Sequence, residues 1–312
     1  MAAEPKDSSD NARASGSLDT DGRIKLGSCE EMITGVDHIV LTETDVMGAA
    51  ATYERLGFGV TVRSTAQRGA TAYVCFDDFH LAISEPAGER RGRASGLPEL
   101  VFRSNDLDHD VSRMISAGFA VSEISDDPLD GTDGHLARRT AEVEFVMPFG
   151  LVQHYSDRGA RDAYVGSSVV HPNSATTVER TYVAVESMAR DLPRFEEILG
   201  TPAPEPEMGT VIMSLMSVFS LGGMGLAVAE PRGSGPTADA LQSNGPGLFQ
   251  VLVRARSLHD AQRVMEENGA PVPEPGTRLS GESALLVLPA HACGVYVGLA
   301  GPSGGATSLR SS

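Results

Sequence analysis

Tryptophan is absent from this chain of 312 residues, and cysteine occurs only three times. Cys29, Cys75 and Cys293 are far apart and form no CxxC pair. That excludes a disulfide framework and a cysteine-based zinc site, and reads as reduced thiols in a cytoplasmic protein. Positive charge is also scarce, with 25 Lys and Arg against 42 Asp and Glu and a net charge of −17. So acidic a chain offers no basic patch for nucleic acid or an anionic membrane, and neither is expected as a partner. Long apolar runs are missing too. The stretch Met208 to Ala229 carries no charge, but it contains Ser214, Ser217 and Ser220 and is cut by Gly222-Gly223-Met224-Gly225. It reads as two buried strands joined by a glycine turn, not as a membrane helix. The first thirty residues hold no apolar segment of the secretory kind, and their polar composition predicts a disordered tail over 1–32. A flexible tail is expected over 303–312. No phosphate loop, nucleophile elbow or dinucleotide fingerprint appears.

What the sequence does contain is repetition. The length suggests about two domains, and one pattern returns four times along it. Val36–Leu41 is a short strand carrying His38, and the acidic turn Glu43-Thr44-Asp45 supplies a helix N-cap. Val46, Ala49, Ala50, Tyr53 and Leu56 then share one helical face, and Gly57-Phe58 closes the helix. Strands follow at Val60–Val62, Thr71–Phe76 and His80–Ser84, ending at Glu85-Pro86. The second unit begins at Leu97–Phe102. Its Asp106 lies seven residues after Glu99, as Asp45 lies seven after His38. Leu107, Val111, Met114 and Ile115 are read as its helix face, Gly118-Phe119 repeats Gly57-Phe58, and Glu142–Val146 and Leu151–Ser156 are its last strands. The loop Asp126–His135 reads as a lid. After a separating stretch, Arg158 to Thr176, the third unit has a strand at Thr181–Val185 and a helix at Met188–Leu199. Its end, Leu226–Pro231, mirrors Leu81–Pro86. The segment GSGPTADALQSNGPG reads as a linker to the fourth unit, with strands at Leu248–Val253, Ala284–Leu288 and Val295–Leu299. A strand, a helix and three strands, four times over, is an α+β architecture of βαβββ units.

The pieces DHIVL…YERLGF, GATAYVCFDDFHLAI, MPFGLVQHY and HPNSA resemble the vicinal oxygen chelate superfamily, which includes glyoxalases, extradiol dioxygenases and the bleomycin resistance proteins. Bacterial glyoxalase-like proteins are the narrower likeness. The resemblance covers about Gly35 to Pro302. It implies that units pair into open, curled-sheet domains, here 33–163 and 177–302. It also implies a metal held from first and fourth strands. Carried over by position, the first half offers His38 and Glu99 from first strands and His154 from a fourth, while Ala82 stands where another ligand would be. Two histidines and a carboxylate suit a divalent ion, Fe(II), Zn(II) or Mn(II), with open positions for substrate oxygens. The matching second-half positions are taken as Thr181, Ala227, Gln250 and Gly298, which make no ligand set, so that half reads as structural.

Each of these residues also has an ordinary reading. A histidine on a strand is commonly a hydrogen-bonded core residue, Glu99 follows a proline at a strand start, and a one-residue slip would turn Gln153 inward instead of His154. Tyr73, His80 and His171 are candidate pocket or general-base groups. Arg138 and Arg139 read as a solvated pair that could bind a carboxylate. Two functions follow. One is a metal-dependent enzyme acting on a small oxygenated substrate by lyase, isomerase or dioxygenase chemistry. The other is a metal-free binding protein of the bleomycin-resistance type. A homodimer is compatible with either.

Overall fold

The computed structural model describes residues 33–302, apart from 66–68, 78, 87–97, 129–136, 156–157, 167–168 and 279. The tails expected at 1–32 and 303–312 and most of the expected lid lie outside the described residues.

The first unit is β1 (Ile33–Thr42), α1 (Val46–Arg55), β2 (Thr61–Thr65), β3 (Gly69–Phe76) and β4 (Phe79–Ser84). The second is β5 (Glu99–Ser104), α2 (Leu107–Ser116), β6 (Ala120–Val121), β7 (Ser125–Pro128), β8 (Ala137–Glu144) and β9 (Phe149–His154). Asp45 and Asp106 cap their helices through the backbone N–H of Gly48 and His109, so the spaced aspartates set two equivalent starts. The strands form one sheet in the order β2-β3-β4-β1-β5-β9-β8-β6, with β7 added against β8. Its centre is the antiparallel pair β1–β5, in which His38 faces Val101 and Glu99 faces Val40. That exchange is what a local twofold axis between the units requires.

The second half repeats the plan. It comprises β10 (Ala175–Ala184), α4 (Met188–Leu199), β11 (Glu207–Gly209), β12 (Ser214–Leu221), β13 (Met224–Pro231), α5 (Pro236–Asn244), β14 (Gly247–Ala255), α6 (Leu258–Glu267), β15 (Gly276–Thr277), β16 (Ser283–Val287) and β17 (Tyr296–Gly301). Its sheet order, β11-β12-β13-β10-β14-β17-β16-β15, is the permutation of the first. The two curled mixed sheets make an α+β fold of the glyoxalase type. The charge-free stretch is indeed the hairpin β12–β13, turning at Gly222 and Gly223 with φ of 57° and 87°. No helix among the described residues is long and apolar enough to cross a membrane.

Residues 32–302 lie in one compact unit. Its main apolar core runs continuously from Ile39, Tyr53 and Phe102 through Phe195 and Phe219 to Val253 and Leu299. Helices of both halves meet in it. Tyr53 donates to the Ala292 carbonyl at 3.2 Å, and Arg194 of α4 donates to the Ala117 carbonyl at 3.0 Å while lying over Phe119.

Several sequence expectations change. Ile115 is 56% exposed, so the α2 face is carried by Leu107, Val111 and Met114. The stretch after β9 contains a further helix, α3 (Arg158–Val165), and the expected linker contains α5. Both are short and polar. α5 starts with Pro236 following Gly235 and is anchored by buried Thr237 and Ala240, a pattern too brief to register as periodicity.

Candidate functional site

The inner face of the first sheet lines a cavity of about 320 Å³. Alternation along β3, β4, β8 and β9 delivers Tyr73, His80 with Ala82, Arg138 with Glu142, and Gly150 with His154 to it. Strand β1 departs from alternation. The register to β5 slips between Val36 and His38, and the extra residue is Asp37. Such a bulge lets adjacent residues share one face, and Asp37 joins His38 on the cup side.

Asp37 is the centre of the site, at 1% exposure. Its Oδ2 accepts from His38 Nδ1 at 2.7 Å. Its Oδ1 accepts from His154 Nε2 at 3.0 Å and from Arg103 Nε at 2.9 Å. Arg161 of α3 adds a guanidinium at 3.6 Å. Burial by itself would raise the carboxyl, but the bonds and charges of His154 and His38 hold it well below the ordinary carboxylate range. His38 lies below the usual imidazole value because burial outweighs the Asp37 bond. His80 stacks on it with ring centroids 4.7 Å apart, and is held well below by burial and by His38. Asp37 is therefore ionised and both stacked imidazoles are neutral near pH 7. With its Nδ1–H given to Asp37, neutral His38 keeps the Nε2 lone pair on a ring that lines the cup.

The cup is polarised along its length. At the His154 end stand Arg138, which faces His154 across the β8–β9 ladder, and Arg161. At the other end Glu142 faces Gly150, and Glu99 Oε1 comes within 3.5 Å of where a side chain on Gly150 would begin. Four residues of β9, about 13 Å, separate Gly150 from His154.

The structure thus places His38, Glu99 and His154 on one cavity and brings two of them together. His38 and His154 meet on Asp37, and Glu99 lines the same cavity two residues along β5 from Val101, the cross-strand partner of His38. His154 faces the cup because Gln153 points away, with its Nε2 donating to the Asn105 carbonyl at 2.7 Å. Tyr73 lines the cup beside His80, with ring centroids 5.7 Å apart. His171 stands apart from the cup. It accepts from the Gly59 N–H and donates to the Cys75 carbonyl, packed against Phe58 and Phe76, so it ties the inter-half connection to β3. Arg138 and Arg139 split: Arg138 lines the cavity, and Arg139 pairs outward with Asp108 at 2.5 Å. Sequence reasoning missed Asp37 and Arg161. The DH dipeptide was in view, but only a bulge makes its acid a site residue, and Arg161 sits on a helix read as a connection.

By itself this donor set is not a complete metal site. Among the described residues no three His, Cys, Asp or Glu side chains are gathered so as to hold an ion. The carboxylate nearest His38 and His154 is already engaged by guanidinium groups, and Ala82 offers no donor.

In the second half the register corrects the expected correspondence. Arg180 pairs with Gly225 as His38 pairs with His80, so Arg180, not Thr181, matches His38. Thr181 is fully buried. Gln250 faces Tyr182 as Glu99 faces Val40. The bulge recurs at Glu179, whose carboxylate pairs with Arg254 at 3.0 Å and Arg278 at 2.6 Å.

No family model matches the sequence, and no curated protein does. Solved structures do match in fold. A variant of 4-hydroxymandelate synthase from Streptomyces coelicolor aligns with a TM-score of 0.61 at 15% identity, over 88% of this chain and 94% of that one. A Mn(II)-bound glyoxalase from Novosphingobium aromaticivorans aligns with a TM-score of 0.56 at 11% identity, over 86% and 82%. A xylose isomerase-like TIM barrel/4-hydroxyphenylpyruvate dioxygenase fusion protein gives 0.57 at 10% identity, over 90% of this chain and 50% of that one. At these identities the likeness is one of fold.

Proposed function

Given a chain with the vicinal oxygen chelate fold, built twice, we propose that it is an enzyme moving a proton on a small oxygenated carboxylic acid. The observation that carries this reading is His38, held by the buried Asp37, on the wall of a cup lined by guanidinium groups and carboxylates.

The substrate carboxylate lies toward Arg138 and Arg161, and a hydroxyl or amino donor toward Glu99 and Glu142. His38 stands between the ends. Its Nε2 removes the proton from the carbon next to the carbonyl or carboxylate, and the electron pair moves onto oxygen as an enediolate. The guanidinium groups stabilise that charge. Asp37 keeps the His38 tautomer and stabilises the imidazolium that forms. Return of the proton to the other face of the same carbon gives epimerisation, its return to the former carbonyl carbon of a 2-hydroxy carbonyl substrate gives isomerisation, and departure of a group from the carbon on the far side gives a lyase reaction.

The test is hydrogen exchange into small 2-hydroxy and 2-oxo carboxylic acids in deuterium oxide, followed by proton NMR. The protein should catalyse exchange at C2 of a 2-hydroxy acid or at C3 of a 2-oxo acid, and His38→Gln should slow it at least about 100-fold. Exchange that survives in H38Q, or that no acid of the panel undergoes, overturns the reading.

One observation favours a metal-assisted version of this chemistry. A histidine whose Nδ1 is held by a carboxylate is the usual supporting arrangement of a metal ligand, and His38 has it. Fe(II), Zn(II) or Mn(II) would then add Lewis acidity toward the substrate oxygens. Metal analysis of mildly purified protein decides: a stoichiometric ion that H38Q loses supports it, and protein catalysing exchange without metal rejects it.

A further inference from the structure

The second sheet also encloses a cavity, of about 480 Å³, although its sequence reads as structural. We infer that this second cup is a separate binding site for a neutral, largely apolar ligand carrying an N–H or O–H donor.

The acid–base groups of the first cup have no counterpart here. The positions of His38, His80 and Glu99 hold Arg180, Gly225 and Gln250. Arg278, which also lines the cavity, is committed to Glu179 and Glu282 at 2.6 and 2.9 Å. Arg180 lies over the Tyr182 ring, 5.8 Å from its centroid, and pairs only distantly with Glu207 at 3.9 Å. Apolar wall is supplied by Ile212, Met216, Leu252 and Leu286. The volume falls in the range of small-molecule sites.

One group in this wall asks for a partner. Gln250 is 3% exposed, and its Oε1 is buried without any hydrogen bond. A buried amide oxygen left unpaired is costly, and native proteins rarely keep one without a reason. Gly298 packs closely beside it. A Cβ built there would sit 3.4 Å from Gln250 Nε2 and 2.7 Å from Leu252 Cδ1, so a larger residue would cover the amide. A donor on an apolar ligand would satisfy the oxygen.

The probes are 2-naphthol, which carries an O–H, and 2-methoxynaphthalene, which does not. Calorimetric titration should give the naphthol at least ten-fold tighter binding. Gln250→Met, which keeps the volume and removes the acceptor, should abolish that preference without lowering Tm; Gln250→Leu serves as a second variant. Equal binding of the two naphthalenes overturns the inference, as does a preference that persists in both variants. A Tm drop of several degrees in both also overturns it, because it would show the carboxamide to be a structural hydrogen-bonding group.

Discussion

Replacing Asp37 with Asn tests the centre of the first cup. The substitution keeps the shape and removes one charge. It leaves Arg103 and Arg161, with side chains 27% and 10% exposed, facing a neutral amide. It also places an NH₂ against groups that now donate to the carboxylate. Breaking one partner out of a buried ion pair costs about 3–5 kcal/mol. Domains are stable by about 5–15 kcal/mol, so D37N should lose a large part of the total. The second half supplies an internal control. Glu179→Gln removes the corresponding acid, but Glu179 is 19% exposed, and its partners Arg254 and Arg278 are 42% and 18% exposed. Water reaches that acid more than it reaches Asp37, and its loss should cost less, roughly 1–2 kcal/mol. Urea unfolding of both variants measures the difference as a fall in midpoint at unchanged slope. D37N should also lose most exchange activity, since the amide no longer fixes the His38 tautomer. If D37N costs no more than E179Q, the charge of Asp37 is not what organises the site.

Three buried histidines, His38, His80 and His171, lie below their ordinary value, each mainly through burial. Below about pH 6.5 the unfolded chain binds more protons than the fold. Their stabilisation is therefore complete above that pH and is lost as pH falls toward the folded values. Thermal unfolding should show Tm falling between pH 7 and 5, with a shallower fall in His80→Gln; a flat profile contradicts the assignment. Exchange activity should fall over the same acid range, because the base must be neutral. Gly222→Ala and Gly200→Ala both place a side chain at positive φ, 57° and 68°, but only the first also meets a neighbour, with a Cβ 2.6 Å from the Thr34 carbonyl oxygen. Chemical denaturation should find G222A less stable than G200A by at least about 1 kcal/mol, beyond the left-handed strain they share.

Much of the fold was legible because its local signals agree. Val46, Ala49, Ala50 and Tyr53 form a buried stripe read directly from spacing, and Met188–Leu199 ends at a glycine with φ 68°. The hairpin after Ser214 was written in its glycines. The cup was legible only in part, because alternation assigns a face to every second residue and β1 breaks that rule. His154 is reached through the family resemblance, with Gln153 left as the alternative. Asp37 is not reached, since parity puts it on the opposite face from His38. The second-half match also shifts by one residue, from Thr181 to Arg180, because only the pairing with β13 fixes it. The helix carrying Arg161 is short, and its role depends on a sheet it does not belong to.

The slip at Asp37 bears on how such a cup can acquire new chemistry. A regular strand would show the interior either an acid or its neighbour, and changing one function would mean altering residues on separate strands. The bulge presents two consecutive side chains together, so a base and the carboxylate that orients it are encoded as one dipeptide. In the other half the same slot holds Glu179 and Arg180. The two chambers of a single chain thus differ at a two-residue cassette, whose exchange would recast the electrostatics of either one while its wall stays in place.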